Sequence, residues 1–350
     1  MQLEPRTYTP LWMTLVAPVI AVFAVLVLCS GLIIWADAPV IPAYIALFKG
    51  AFGSKFAIAE TLVRATPLIL TGLAAAVAFR AKLWNIGGEG QLYMGALAAT
   101  YFGTGMINLP APLMIPFLFV VGALAGGFLL LIPALLKTRL KVDEVVTTLL
   151  LNFVILLLAN YLLFGPWKDP MAMGWPQGAP IIDSGILPKL IAKTRLHGGL
   201  IFALFAAIVI WIVMTKTKWG LEIRAVGLNQ DAASFAGIPI NKTIIRTALI
   251  SGGLAACAGV TEVAGTKEYL TLDISPGFGY TGIAVAMLAG LNPLGVVIAA
   301  LFIAGIYNGA DSMSRAMDVS NYIADVITAA SLLMVMLAVM LTRMRIRFRN

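Results

Sequence analysis

The sequence predicts an all-α, polytopic integral membrane protein of about ten transmembrane helices with broken or re-entrant segments, and three observations carry that prediction. Mean hydropathy is +0.96. Only 11% of the residues are charged against 61% hydrophobic, with 33 glycines in 350 residues. The apolar residues come in runs near the roughly 20 that cross a bilayer core. A soluble chain of this length cannot hide so much apolar surface. It reads as a single transmembrane domain over 1–350, with a cytoplasmic N-terminal segment at 1–12 and a basic cytoplasmic tail at 342–350.

The first run, 13–35, is too long for the apolar region of a signal peptide and lacks a small-residue cleavage site, so it is a retained helix. The second, 57–79, carries Glu60 and Arg64 one helical turn apart, a pair that neutralises itself near the interface. Before the third run, 88–107, the stretch RAKLWNIGGEGQLYMGALAA (80–99) interrupts the hydrophobic flow with Asn85, Gly87, Gly88, Glu89, Gly90 and Gln91. Three glycines in four positions permit irregular backbone, and an acid beside an apolar run is costly unless it faces water or a partner. Two readings stay open here: a broken helix near a translocation path, or a tight turn that packs helix against helix.

The fourth run, 111–136, contains Gly122 and Gly126, a G-x-x-x-G suited to close helix packing. The fifth, 145–165, puts Thr148 and Asn152 on one face by i, i+4 spacing, with Asn160 further along. Such groups serve either solute contact or interhelical hydrogen bonding. Runs follow at 199–214, 247–265, 279–291, 294–310 and 322–341. Asn292-Pro293 is either a hairpin between the eighth and ninth or a break inside one helix. Asp311, Asp318 and Asp325 flank the last two, near the outer surface.

Lysines and arginines stay on the cytoplasmic side during insertion and so set the orientation. With the N-terminus inside, the cytoplasmic segments hold Arg6, Arg80, Lys82, Lys137, Arg139, Lys141, Lys216, Lys218, Arg224, Lys242, Arg246, Arg343, Arg345, Arg347 and Arg349, most of the 24. The loop 166–198 is the exception, with Lys168, Lys189, Lys193 and Arg195 outside; long loops obey the rule weakly. An even number of spans places both termini inside. The net charge of +8 is therefore membrane topology and not a nucleic-acid surface, because it lies in short clusters at run ends.

Most chemistry is excluded. Cys29 and Cys257 each sit in an apolar run and read as packing thiols. His197, the one histidine, lies in a polar loop, where an imidazole is ordinarily solvated, and one histidine makes no multi-histidine metal centre. There is no H-E-x-x-H, G-x-S-x-G or P-loop. No cofactor, metal or ATP motif is present, so energy must come from a partner.

Between the sixth and seventh runs the polar segment AVGLNQDAASFAGIPINK (225–242), in the cytoplasmic loop 215–246, has its own start and stop signals. Asn229 is an N-cap, Asp231 places charge in the first turn, Gly237 is a C′ residue and Pro239 forbids continuation. So short a helix is not stable alone. Ala232 and Ala233 form a small face and Phe235 an apolar knob, which suits insertion into a groove on a cytosolic partner. A helix resting on lipid headgroups would want more large apolar side chains and a basic polar face.

The stretches ATPLILTGLAAAVAFRAKLWNIGGEGQLYMGA and WGLEIRAVGLNQDAASFAGI resemble the membrane permease of bacterial ATP-binding cassette (ABC) importers of simple sugars and nucleosides, related to the ribose and branched-chain amino acid permeases. The resemblance covers roughly residues 57 to 340, and the nearest branch is the general nucleoside permease subunit, which pairs with a second, shorter permease. The run D-A-A-x-x-x-G from Asp231 to Gly237 is similar to the E-A-A-x-x-x-G coupling loop of importers, with Asp in place of the usual Glu.

The resemblance implies that Asn229 to Gly237 is a coupling helix docking in a cleft of a separate ATPase subunit, with Gly220, Arg224 and Gly227 leading into it. It implies a second homologous permease as a heterodimer partner, and an extracytoplasmic substrate-binding protein delivering a nucleoside or simple sugar to outer loops that include 166–198, with Trp167 and Trp175. It implies the bacterial cytoplasmic (inner) membrane as the location. Candidate translocation-path residues are Asn85, Gly87, Gly88, Glu89, Gln91, Thr148 and Asn152; Tyr93 could stack on a nucleobase or anchor at an interface. An ion-coupled secondary transporter, with Glu89 as proton carrier, is the alternative; it leaves the capped helix without a job. An intramembrane enzyme would need converging acids, bases or metal ligands that the sequence lacks.

Overall fold

The computed structural model describes residues 2–5 and 11–347; Arg6 and Arg349 lie outside the described residues. The chain divides into two compact units, Met1–Thr61 with Leu301–Asn350, and Leu62–Ala300.

In the first unit, α1 (Leu11–Trp35) leads into α2 (Val40–Phe52), whose axis lies at 118° to Phe23–Trp35. The bend falls where Asp37 takes a left-handed φ of 55° and Pro39 supplies the N-cap. α2 is not among the ten runs, being only 13 residues long and interrupted by Lys49. α3 (Lys55–Arg80) begins in this unit and α12 (Pro293–Met317) ends in it, followed by α13 (Asn321–Arg343). The strands β1 (Gln2–Pro5) and β2 (Met344–Arg347) pair antiparallel. Cys29 packs with Val25, Ile33, Leu47, Met313 and Ile327. The buried Asn308 amide nitrogen lies 2.9 Å from Gly50 O, 3.1 Å from Ala57 O and 3.2 Å from Thr61 Oγ1. It thereby serves the Gly50 carbonyl, which the C-terminal end of α2 leaves without a helical partner, and ties it to the first turns of α3.

The second unit holds most of α3, then α4 (Gly88–Gly103), α5 (Ala111–Leu140), α6 (Glu144–Phe164), α7 (Gly199–Lys216), α8 (Lys218–Leu228), α9 (Gln230–Phe235), α10 (Ile240–Thr261) and α11 (Phe278–Leu288). A π-helical turn, Glu262–Lys267, extends α10. Glycine decides how α4, α5 and α10 meet. A Cβ on Gly126 would lie 2.5 Å from Gly252 O and one on Gly252 would lie 2.3 Å from Gly126 O. A Cβ on Gly259 would lie 1.9 Å from Leu92 O. Backbones approach this closely only where side chains are absent, the usual device of helices that have no hydrophobic drive to associate in lipid. The apolar windows of α3 and α10 are 89% and 72% buried, whereas those of α6 and α7 are 22% and 33%; α3 and α10 form the interior and α6 and α7 the periphery.

All ten predicted runs fall on helices, of which fewer meet the length and hydropathy of a membrane span. Among the described residues six helices are long and apolar enough to cross a membrane, or up to seven if the bent α1–α2 pair is one span. α4 has 16 residues and α11 only 11. Asn292-Pro293 is a turn between two helices: Gly290 and Leu291 are left-handed, and Asn292 Oδ1 accepts from Leu294 N at 3.0 Å to cap α12.

Candidate functional site

Three places carry polar structure in the second unit. The first is α9. Asn229 is extended (φ −155°) and its Oδ1 accepts from Asp231 N at 2.9 Å and Ala232 N at 3.1 Å, satisfying donors that a helix start leaves free. Gly237 ends the element at φ +78°. Within this capped turn the two alanines part company. Ala232 is exposed, but Ala233 is 3% exposed and packs into a cluster with Phe79, Leu83, Val226, Ile244 and Ala248. Successive helical positions are about 100° apart, so both cannot face one partner. The expected small face for a partner is thereby corrected: Ala233 roots α9 in its own chain.

The outward side belongs to Asp231, Ala232 and Phe235, the last 97% exposed, with Leu228 at 81% beside them. Leu228 is absent from the sequence-based set, and its place one residue before the N-cap is the signal that could have found it. Gly220 and Gly227 seat α8: a Cβ on Gly227 would lie 1.9 Å from Arg80 O, and one on Gly220 2.3 Å from Val213 O. Arg224 is partly buried. Arg246 crosses over Trp219 at 5.4 Å and faces Glu222 at 3.6 Å, tying α10 to α8.

The second place is the joint before α4. Asn85 and Gln91 exchange reciprocal amide bonds of 2.9 Å, and Asn85 also donates to Ser251 Oγ at 3.0 Å. Asn152 Oδ1 accepts from Gly90 N at 2.8 Å, while its nitrogen donates to Ile86 O at 2.9 Å and to Tyr280 Oη at 3.1 Å. Thr148 Oγ1 accepts from Ile86 N at 3.2 Å and donates to Glu144 O at 2.6 Å. Glu144 pairs with Lys137 and accepts from Trp84 N. Glu89 accepts from Gly279 N at 2.7 Å, at the start of α11, where a helix N-terminus favours an anion. Gly88 lets α11 approach, and a Cβ on Gly279 would lie 2.1 Å from Glu89 N. Asn85, Glu89, Gln91, Thr148 and Asn152 are all 0–3% exposed, and Gly87 and Gly88 are buried with them. In this conformation the seven candidate path residues are buried in a closed joint, bonded to one another or to neighbouring backbone and side chains, and line no open surface.

The third is the loop 166–198, which is pinned rather than free. Gly178 N donates to Leu270 O, Ile181 N to Glu268 O, and Leu187 N to Ala264 O. Contrary to the expectation of a solvated imidazole, His197 is 1% exposed. Its Nε2 lies 3.2 Å from Thr266 Oγ1 and its Nδ1 accepts from Gly199 N at 3.2 Å. Burial holds its pKa down to about 4. Trp167 stacks on Tyr101 at 5.8 Å and lines a cleft with Lys168. Trp175, Met171 and Met173 are strongly exposed.

From the loop the chain descends. Between Lys267 and Phe278 there is no helix. This segment passes Tyr93, whose hydroxyl donates to Leu272 O, and reaches Phe278, whose carbonyl accepts from Thr71 Oγ1 at 3.0 Å. Asp273 and Tyr280 are exposed along it. The sequence signal was the polar, proline- and glycine-bearing stretch 268–277, which separates two apolar runs without belonging to either.

The second unit thus combines helices brought together at glycine, buried polar joints and a short capped helix rooted in its own chain with an exposed outer side. Residues 57–341 match the family described as branched-chain amino acid transport system / permease component, and the chain belongs to that family. It is 38% identical to the guanosine ABC transporter permease protein NupP of Bacillus subtilis, over 92% of each chain. It is 35% identical to the glucose ABC transporter permease protein TsgB13 of Haloferax volcanii, over 99% of this chain and 93% of that one. It is 34% identical to the nucleoside ABC transporter permease protein NupB of Lactococcus lactis, over 81% of this chain and 80% of that one. The chain is thus an ABC transporter permease of the nucleoside and sugar type, a transport subunit whose class implies an ATPase partner.

Proposed function

We propose that this chain carries a nucleoside or simple sugar inward across the bacterial cytoplasmic membrane, moved by an ATPase subunit that grips α9. It does so as a ten-span subunit with both termini in the cytoplasm, beside a second homologous permease, and receives solute from an extracytoplasmic binding protein at the loop 166–198. The observation that carries the reading is the construction of α9: Phe235 stands 97% exposed while Ala233, two residues earlier, is locked into the cluster of Phe79 and Ala248 on α3 and α10. A pull on the first is delivered to α3 and α10. The closed joint at 85–91 is then a stiff hinge block between α4, α6, α10 and α11, and its residues position the path without lining it.

The test is uptake by the complex of this chain with its ATPase, second permease and binding protein in proteoliposomes, using labelled guanosine, uridine and glucose. ATP-dependent accumulation of at least one is expected. Phe235→Ala, which removes an exposed side chain and leaves the core untouched, is expected to cut uptake about tenfold or more, the scale of losing an anchoring aromatic contact, with the membrane assembly intact. Uptake by the isolated chain under a proton gradient without ATP would favour an ion-coupled transporter instead.

A further inference from the structure

We infer that the exposed edge of the 268–280 segment, with Asp273 and Tyr280 as its polar groups, is the surface on which the solute rides through the membrane. The inference rests on the permease reading and deepens it by naming a site that lies outside the closed joint.

Thr71, which bonds Phe278 O, is nine residues from the end of α3 at Arg80, or about 14 Å along the axis at 1.5 Å per residue. At its other end the segment is bonded to the loop through Glu268 and Leu270. The chain therefore falls from the loop into the depth of the bundle as irregular backbone. Non-helical backbone at membrane depth persists only where protein buries it or where it borders water. One side is buried by protein: Leu270, Ile274 and Phe278 are 0–6% exposed. The other side is open, and what it shows is Asp273, Pro276 and Tyr280. A carboxylate facing hydrocarbon is costly, and such groups ordinarily border a bundle interior or a water-filled cavity, which assigns this open edge to water.

The chemistry fits a neutral ring bearing hydroxyls. Carboxylate oxygens accept from a vicinal diol, two O–H donors at once. Tyr280 Oη already accepts from the Asn152 nitrogen at 3.1 Å, which fixes the ring and leaves its own hydrogen to donate to a solute oxygen or nitrogen. Asn152 is committed on every side, to Gly90 N, Ile86 O and Tyr280, and is a positioning residue behind the phenol. The aromatic face supplies the apolar contact that a sugar or base ring accepts. A carboxylate there also disfavours phosphorylated solutes, so the class is the nucleoside or free sugar and not the nucleotide or sugar phosphate.

The test uses the assembled complex in proteoliposomes. Native Cys29 and Cys257 are 1% and 4% exposed, so background labelling is low. The thiols of Asp273→Cys and, separately, Pro276→Cys are expected to react with a membrane-impermeant methanethiosulfonate, and that of Pro276→Cys, which keeps the carboxylate, to be protected by whichever of guanosine, uridine or glucose the wild type accumulates. Asp273→Asn is expected to lower uptake about tenfold and Tyr280→Phe to raise the half-saturating concentration several-fold, as loss of a hydrogen bond to a charged or polar partner does, while ATP hydrolysis persists. Unreactive thiols at both positions, or Asp273→Asn transporting like wild type, overturn the inference while normal wild-type uptake keeps the permease reading. Absence of ATP-dependent uptake by the wild-type complex overturns that reading itself.

Discussion

The His197 imidazole, held between Gly199 N and the Thr266 hydroxyl, is neutral in the folded protein at pH values where the unfolded chain has taken a proton. With a folded pKa of about 4 against about 6.5 unfolded, its contribution is complete above pH 6.5. It is lost as pH falls toward 4, because the unfolded state then binds the extra proton. The size is on the order of 3 kcal/mol. Thermal unfolding in detergent should therefore shift downward from pH 7 to 4.5 more in the wild type than in His197→Gln, whose amide can keep both hydrogen bonds; parallel curves would refute this. A lone histidine in a polar loop gave no hint of its burial. What buries it is Gly265, where a Cβ would lie 2.5 Å from the ring, and that glycine is 68 positions further along the chain.

At the scale of elements, α11 shows how a short helix is held. Eleven residues do not make a stable helix unaided, and its first turn is anchored by Ser275 Oγ, which accepts from Phe278 N at 2.9 Å, and by Glu89. Glu89→Gln keeps an acceptor for Gly279 N and should unfold close to the wild-type temperature. Glu89→Ala leaves that buried N–H unpaired, at a cost of about 1–3 kcal/mol, and should lower the unfolding midpoint measurably. Equal midpoints for the two variants would show that the contact does not support α11. The helices under the ten apolar runs were legible from their unbroken hydropathy, whereas α2, broken by Lys49, was not, and the caps of α9 were legible because Asn229, Gly237 and Pro239 act within a few residues. Element roles were less so. Asn85, Glu89 and Asn152 gave the same signal for a joint as for a path, since a buried polar group and a pathway group differ only in what faces them. The alternation of Ala232 and Ala233 between outside and inside required knowing where α3 and α10 lie.

For the whole molecule, the distribution of lysine and arginine makes a topological prediction. A thiol introduced at Ser234 beside α9 and one introduced at Lys193 in the loop 166–198 should react with an impermeant reagent from opposite sides of the membrane, Ser234→Cys from the cytoplasm. Labelling of both from one side would overturn the orientation. By itself the sequence determined that this chain dwells in a membrane, roughly where its apolar helices lie, that it carries a capped polar handle and that it has no motif for binding ATP. All of these depend on composition and on neighbours within a turn or two. Only the tertiary structure decided which glycines bring backbones together, which polar groups are closed off, and that residues 268–280 descend into the bundle with one edge open. Those depend on contacts between residues as far apart as Glu89 and Gly279, which hydropathy and local propensity do not encode.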